Sequence, residues 1–445
     1  MRRFRLLVAG NAVSAYGSYL NMVALNVFVY QLTGSALTAG LYMAVRLLTS
    51  VASGVVAGSL ASRIPRKRLM VGSDLTQATA LVLLLLAPSG ARVGLLFVLA
   101  VVAGACSTVS GVSLRSAVPE IVGADLRTRA NSLLATGRSL AMVAGFGSAS
   151  VIVAQLGYRW AFAFDALSFL VSASVLTSLS IRTEAAREER EGDAPVSAAV
   201  SAPVSAPVSA AKAEQGGAAG REGGGGRWAS LVLLRSMPVV AVMVLVRAAD
   251  GLGSSSHNVA LPVYSAALDP ARPAAFISQF WATWAIGNIA VQQILSRYSS
   301  RTGRSPGERV FALGACVMSA SFILVFSGLP TLPAIVVALV AGMADGLTEV
   351  AYVSRLQAVP DAQRARLFGL SASVENLGFG LGMILNGALL EHFSPLRVVG
   401  AFHGLAILLC VGFLGLLLRR TVAGRPTPVA EPVDGRVPAS EGGRA

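Results

Sequence analysis

The sequence predicts an all-α polytopic membrane protein with twelve transmembrane helices in two six-helix pseudo-repeats. The 445 residues are 54% hydrophobic and only 13% charged, whereas a soluble domain has roughly 25% charged residues. The mean hydropathy is +0.67. Many apolar runs are about 20 residues long or longer, which is enough to cross ~30 Å of hydrocarbon. Lys and Arg are concentrated in alternate short loops between these runs, which favours topology over nucleic-acid binding as the reason for the net charge of +14.

The apolar runs define twelve predicted spans. Those of the first half are 6–30, 36–61, 69–87, 93–116, 131–155 and 159–181, and those of the second are 237–266, 274–298, 309–329, 333–356, 367–390 and 397–418. We expect an N-terminal six-helix bundle over 1–181 and a C-terminal bundle over 236–420. The intervening 182–235, with Ala-Pro-Val-Ser repeats and a Gly run, predicts a disordered cytoplasmic linker, and 421–445 a disordered tail.

The distribution of Lys and Arg predicts the orientation. The side that carries the N-terminus has 29 of them and the other side has 4. The positive-inside rule then places both termini in the cytoplasm. We expect a multi-pass protein of the plasma (inner) membrane. Its first apolar run is too long for the core of a cleaved signal peptide, so we expect it to be retained.

Short motifs repeat between the two halves. Ala117-Val-Pro-Glu120 and Ala358-Val-Pro-Asp361 differ by 241 positions, and Ser62-Arg-Ile-Pro-Arg66 and Ser300-Arg-Thr-Gly-Arg304 by 238. Each of these motifs lies at the end of an even-numbered span, spans 4 and 10 for the first pair and spans 2 and 8 for the second. The nearly constant offset indicates two parallel repeats of six spans.

The stretch Gly58-Ser-Leu-Ala-Ser-Arg-Ile-Pro-Arg-Lys-Arg68 follows span 2 and resembles the loop signature of the major facilitator superfamily. The small residues before it predict a close approach of two helices. The resemblance implies the twelve-helix major facilitator fold and alternating access. It also implies a cytoplasmic gate, to which we assign Gly58, Arg63, Arg66, Asp74 and Glu375, the last two acids forming ion pairs with loop arginines.

A second resemblance covers spans 4 to 6. Val118-Pro-Glu-Ile-Val122, Ala130-Asn-Ser-Leu133 and Ala161-Phe-Ala-Phe-Asp-Ala-Leu-Ser-Phe169 are similar to the branch that holds macrolide-efflux and siderophore-export proteins. It implies proton-coupled efflux of small amphipathic or hydrophobic compounds, such as antibiotics, drugs or siderophores, by a monomer. Span 5 has Gly145-Phe-Gly147 in place of the exporter signature, so import of a small organic solute stays open.

Charged residues inside spans are the candidate site residues, because each costs ~2.5–3.5 kcal/mol at the bilayer centre. Arg247 and Asp250 lie three apart in span 7 on one helical face. They form either a self-neutralising pair or a pair that faces the cavity.

Asp345 and Glu349 lie four apart on one face of span 10, with no basic residue nearby in the sequence. Two carboxylates in a low dielectric resist simultaneous ionisation, so one of them binds a proton. We interpret Asp345, Glu349 and Asp250 as the proton carriers. The alternative is that each acid pairs with an arginine from another span.

Arg46 near the middle of span 2 requires an acid or an anionic ligand. We assign it to the substrate cavity, with Asp345, Glu349 and Asp250 as candidate partners. The resemblance implies that spans 1, 4, 7 and 10 line this cavity, whose other candidate residues are Arg247, Asn21, Tyr19, His257, Asn258 and Trp284. The polar and Gly-rich stretches 251–258 and 342–346 predict broken helices beside the site.

No motif indicates catalysis. The chain has no Walker loop, no metal-ligand spacing and no nucleophile arrangement, so we expect no enzyme activity, cofactor or metal. The expected partners are a small-molecule substrate, protons and the lipid bilayer, without nucleic acid. A non-transporting membrane receptor or assembly protein is the remaining alternative.

Overall fold

The structure, a computed structural model, describes residues 2–122, 126–179, 237–359 and 361–423. These residues form twelve long helices and one short 3-10 turn at Ser89–Ala91. The helices are α1 Arg2–Thr33, α2 Ala36–Arg63, α3 Arg66–Leu86, α4 Arg92–Val122, α5 Arg127–Leu156, α6 Tyr158–Ser178, α7 Pro238–Leu268, α8 Ala275–Thr302, α9 Glu308–Val325, α10 Thr331–Gln357, α11 Asp361–Leu390 and α12 Pro395–Ala423.

The predicted all-α class is confirmed, and each predicted span corresponds to one helix. The predicted linker 182–235 lies outside the described residues. So does most of the predicted tail, whose first three residues continue α12 to Ala423. The two bundle boundaries stay predictions.

Eleven of the helices are long and apolar enough to cross a membrane. The other one is α8, whose amide side chains, such as Gln279 and Asn288, lower its hydropathy. Its 28 residues extend about 40 Å at 1.5 Å per residue, more than the hydrocarbon thickness. α8 is therefore long enough to cross the membrane, although its polar residues lower its hydropathy.

Helix pairing repeats with an offset of six helices. In the N half (α1–α6), α1 packs on α5 and α6, α2 on α4, and α3 on α4 and α6. In the C half (α7–α12), α7 packs on α11 and α12, α8 on α10, and α9 on α10 and α12. The contacts between halves, α2 with α11 and α5 with α8, follow the same offset. The pairing matches the parallel repeats that the motif offsets indicated.

Large apolar side chains cover the outside of the helices. Leu86, Leu332 and Leu408 are each more than 70% exposed. Isolated exposed Leu residues are ordinary in soluble proteins, but these belong to long apolar helices and lie where lipid replaces water. The fold is therefore that of a multi-pass membrane protein.

The two halves touch mainly on one side of the membrane. We call the side at which α1 begins and α12 ends the terminal side, and the opposite side the far side. A Cβ on Gly387 of α11 would lie 3.0 Å from the Ala36 carbonyl oxygen at the start of α2. The Ser278 hydroxyl of α8 donates to the Phe146 carbonyl of α5, and the Ser150 amide donates to that hydroxyl at 3.0 Å. These contacts close the far side.

Glycines mark close helix crossings along α2. Of the small residues for which a close approach was predicted, Gly58 is open, because a Cβ there would have no neighbour within 4 Å, whereas Gly54 and Ala57 are buried. A Cβ on Gly104 of α4 would meet the Arg46 carbonyl of α2, and one on Gly40 would meet the Met383 carbonyl of α11. Both of these crossings lie in the far half of α2.

The predicted breaks in spans 7 and 10 are wrong, because α7 and α10 are continuous α-helices. Their glycines serve packing. A Cβ on Gly342 would overlap the Trp284 backbone of α8, and one on Gly251 would lie 3.1 Å from the Glu375 carbonyl of α11. The small residues let neighbouring backbones approach without interrupting the helices.

Candidate functional site

A cluster of one cation and three carboxylates lies inside the C half. Arg247 Nη1 lies 3.1 Å from Asp250 Oδ2. Its Nη2 contacts Glu349 Oε2 of α10 and lies 3.7 Å from Glu375 Oε2 of α11. Three helices thus bring three carboxylates to one guanidinium. We call these four residues the acidic cluster.

Two neighbours fix the orientation of the acidic cluster. The Tyr352 ring lies under the guanidinium, with Arg247 Cζ 5.3 Å from the ring centroid, which is a cation–π geometry. The Ser371 hydroxyl donates to Glu375 Oε1 at 2.7 Å and also bonds the Tyr352 hydroxyl. These contacts hold Arg247 and Glu375 in place, while the Glu349 side chain stays 26% exposed. Glu349 is therefore the most exposed of the three acids.

The sequence paired Arg247 with Asp250, and the structure forms that contact. It also gives Glu349 a basic partner, which the sequence did not reveal because Arg247 lies 102 positions away. Asp345 lies one turn before Glu349 and is 5% exposed. The Asn288 amide lies 3.5 Å from it. Asp345 thus borders the acidic cluster and lies within electrostatic reach of Arg247.

The N half encloses a cavity of about 190 Å³, which we call the N-half cavity. Arg46 of α2, Arg115 of α4 and Arg138 of α5 line it, together with Tyr19 and Asp74. Arg138 Nε donates to the Tyr19 hydroxyl at 2.9 Å. Arg138, which the sequence analysis did not select as a site residue, lies in the cavity wall. Arginines thus outnumber carboxylates in the described lining.

A smaller cavity of about 40 Å³ lies between the halves, next to the N-half cavity. It is lined by Asn26, Tyr42 and Arg46 of the N half and by Asn258 and Met383 of the C half. Arg46 borders both cavities. The predicted placement of Arg46, Tyr19 and Asn258 beside a cavity therefore agrees with the geometry.

Four predicted cavity residues line neither cavity. Arg247 belongs to the acidic cluster, and the other three are buried in contacts between helices. Asn21 donates to Asp165 Oδ2 at 2.6 Å and stabilises the α1–α6 contact. His257 is 1% exposed, stacks on Phe322 at 3.8 Å and shares a 3.1 Å hydrogen bond with His403. Trp284 is 1% exposed in the α8–α10 contact. These three side chains contribute packing in this conformation.

The predicted gate residues have other partners than those expected. Glu375 belongs to the acidic cluster, and Arg66 Nη1 donates to the Ser116 carbonyl at 2.8 Å. Asp74 is buried in the wall of the N-half cavity, and Arg63 is exposed. The expected ion pairs between these acids and the loop arginines are therefore replaced by contacts within each half.

Sequence reasoning missed a contact that joins the halves on the far side. Glu391, just after α11, accepts from the Ser35 hydroxyl and from the Leu37 amide, each at 2.9 Å. Ser35 is the N-cap of α2, so the carboxylate caps the positive end of that helix. The Leu37 amide lowers the pKa of Glu391 below its ordinary value of 4.5. We call this contact the far-side latch.

Comparisons with known proteins agree with the architecture. The family model of the Major Facilitator Superfamily matches residues 7–359. A search of curated protein sequences found no match. Solved structures with a similar fold include the nucleoside transporter NupG, with a TM-score of 0.66 at 14% identity over 94% of this chain and 99% of that one. A peptide transporter POT in complex with sulfate gives 0.65 at 16% identity over 94% of each chain.

Proposed function

Because the chain belongs to the Major Facilitator Superfamily, we propose that this transporter couples proton movement to the export of small amphipathic or hydrophobic compounds. The protein is a transporter and not an enzyme, as its family and the transporters of similar fold indicate. The coupling ion, the substrate and the direction belong to the proposal, as do the monomeric state, the plasma-membrane location and the cytoplasmic termini.

The contact of Arg247 with three carboxylates carries the proposal. One guanidinium neutralises one carboxylate, so the fully ionised cluster has an excess of two negative charges. Excess charge in a low dielectric is costly, and binding a proton relieves it. Glu349 is the most exposed of the three acids, so we assign the exchanged proton to it. Asp250 and Glu375 then keep Arg247 paired when Glu349 is neutral.

The far-side contacts support alternating access. With the far side closed by α2–α11 and α5–α8 contacts, substrate would reach Arg46 from the terminal side, which the charge distribution of the loops predicts to be cytoplasmic. Protonation of Glu349 would release its ion pair with Arg247 and change the balance of contacts within the C half. Rocking of the two halves would then expose the cavity on the far side.

Substrate-stimulated proton flux in liposomes tests the coupling. We expect Glu349→Gln to abolish flux, because the amide binds no proton. Glu308→Gln is the matched control, since Glu308 pairs with Arg355 at 2.8 Å outside the acidic cluster. Normal flux in Glu349→Gln, with macrolides, dyes and siderophores as the panel, would contradict the assigned proton carrier.

Import is the alternative, which the altered exporter motif at Gly145–Gly147 favours. Accumulation of substrate in vesicles of known orientation, driven by an imposed proton gradient, separates the two directions. Efflux from the side carrying the termini supports the proposal, and uptake toward that side supports import.

A further inference from the structure

The N-half cavity is a positively charged site in a membrane-spanning bundle. Its described lining contains Arg46, Arg115 and Arg138, from three different helices, and Asp74 as its carboxylate. A charge in the middle of the membrane persists where it meets a partner or a ligand. The cavity thus has a net positive lining, in contrast to the acidic cluster of the C half.

Arg46 is the arginine of this cavity whose charge is not met by a hydrogen bond or salt bridge within the described part of the chain, and it is half-buried. Asp165 is within electrostatic reach, but its oxygens already accept from Asn21 at 2.6 Å and from Ser18 at 3.4 Å. Arg46 therefore presents its donors to the two cavities.

A second arginine points to the same cavity from a fixed position. The Tyr19 hydroxyl accepts from Arg138 Nε, and the Tyr19 ring packs edge-on against Phe146 with centroids 5.2 Å apart. Phe146 in turn lies 6.0 Å from Trp281 of the C half. Arg138 is thus held beside an aromatic wall that continues across the interface between the halves.

Apolar and aromatic side chains form part of the surface on the other side of Arg46, next to the amides of Asn26 and Asn258. Met22, Tyr42, Leu47 and Met383 line the small cavity that adjoins it. A guanidinium beside such a surface suits a molecule with an anionic group and an apolar body, because the two parts meet matching environments. An amphipathic cation would meet the arginines and would be repelled.

We propose that this site binds amphipathic organic anions, with Arg46 contacting the anionic group and Arg138 contributing positive potential. The inference deepens the proposed function, on which it rests, by naming the substrate class of the transport cavity. The N half then holds the substrate's charge, and the C half holds the exchanged proton.

Calorimetric binding to the purified protein, without any proton gradient, tests the inference. Two matched probe series have 2-naphthyl and 1-adamantyl bodies, each as the carboxylate, the neutral carboxamide and the methylammonium cation. We expect the carboxylate to bind about tenfold or more tightly than the carboxamide, as for a charge-assisted hydrogen bond, and the cation to bind weakest. Arg46→Gln should remove the difference, and Arg46→Lys should keep part of it.

Arg159→Gln is the control, because Arg159 is exposed at the start of α6 and lines neither cavity. Equal binding of the three charge types, preference for the cation, or failure of both carboxylates to bind would overturn the inference. A folded Arg46→Gln protein that still prefers the carboxylate as strongly as the wild type would also overturn the inference. Since these experiments involve no gradient, loss of proton coupling and loss of anion selectivity are separate results.

Discussion

Removal of the charge on Glu391 should shift the protein toward a far-open state. The Glu391 carboxylate accepts from the Ser35 hydroxyl and the Leu37 amide at the start of α2, and so joins the C half to the N half. Glu391→Gln keeps an oxygen acceptor of the same size but removes the negative charge. The change therefore tests the interaction between a carboxylate and a helix N-terminus across the far-side latch.

The expected magnitude is modest because Glu391 is exposed to solvent. A charge at an exposed helix N-terminus contributes about 0.3–1 kcal/mol. The upper value corresponds to a roughly fivefold change in the ratio of far-open to far-closed molecules. In Glu391→Gln the ratio of far-open to far-closed molecules should rise by up to this factor. The protein should still fold, since Glu391 does not belong to the core.

The pH dependence has a definite sign. The Leu37 amide lowers the pKa of Glu391 below 4.5 in the far-closed state, so the carboxylate favours closure above its ordinary pKa. This contribution is lost as the pH falls through the lowered value. The wild-type protein should therefore open more readily in acid, and Glu391→Gln should lack that part of the response.

Distances between spin labels measure the opening. After replacement of the three native cysteines, labels at Ser89 and Leu332 report the far-side separation, since both positions are exposed. Asp269→Asn is the control, because Asp269 bonds Arg272 in its own loop at 2.9 Å. An unchanged distance distribution in Glu391→Gln, or an equal shift in Asp269→Asn, would refute the latch.

Two further predictions concern the packed interior. Gly104→Ala should lower the stability by about 1–3 kcal/mol, because its Cβ would meet the Arg46 carbonyl, whereas Gly94→Ala in the same helix has no neighbour within 4 Å. Comparison of thermal unfolding checks this, and equal melting temperatures would contradict it. Arg247→Gln should destabilise the protein by about 3–5 kcal/mol, because it leaves buried carboxylates without their cation. Arg247→Lys should lose less, and denaturation that shows no loss in Arg247→Gln would exclude a structural contribution of the acidic cluster.

Pairs of residues close in sequence could be predicted because they share one helix. The spacing of Arg247 and Asp250, and of Asp345 and Glu349, defines a common helical face. The contact of Arg247 with Glu349 and Glu375 could not be predicted in this way. It depends on how α7, α10 and α11 pack, and small residues such as Gly251 set that approach.

The sequence alone determined the membrane class, the number of helices and the duplicated architecture, because hydropathy, loop charge and motif offsets are properties of the linear chain. It also identified Arg46 as a charge that requires a partner. Tertiary structure decided which charges meet. It left Arg46 at a cavity, joined Glu391 to the start of α2, and buried His257 against His403. These outcomes depend on distances between helices far apart in the chain, which periodicity within one helix does not specify.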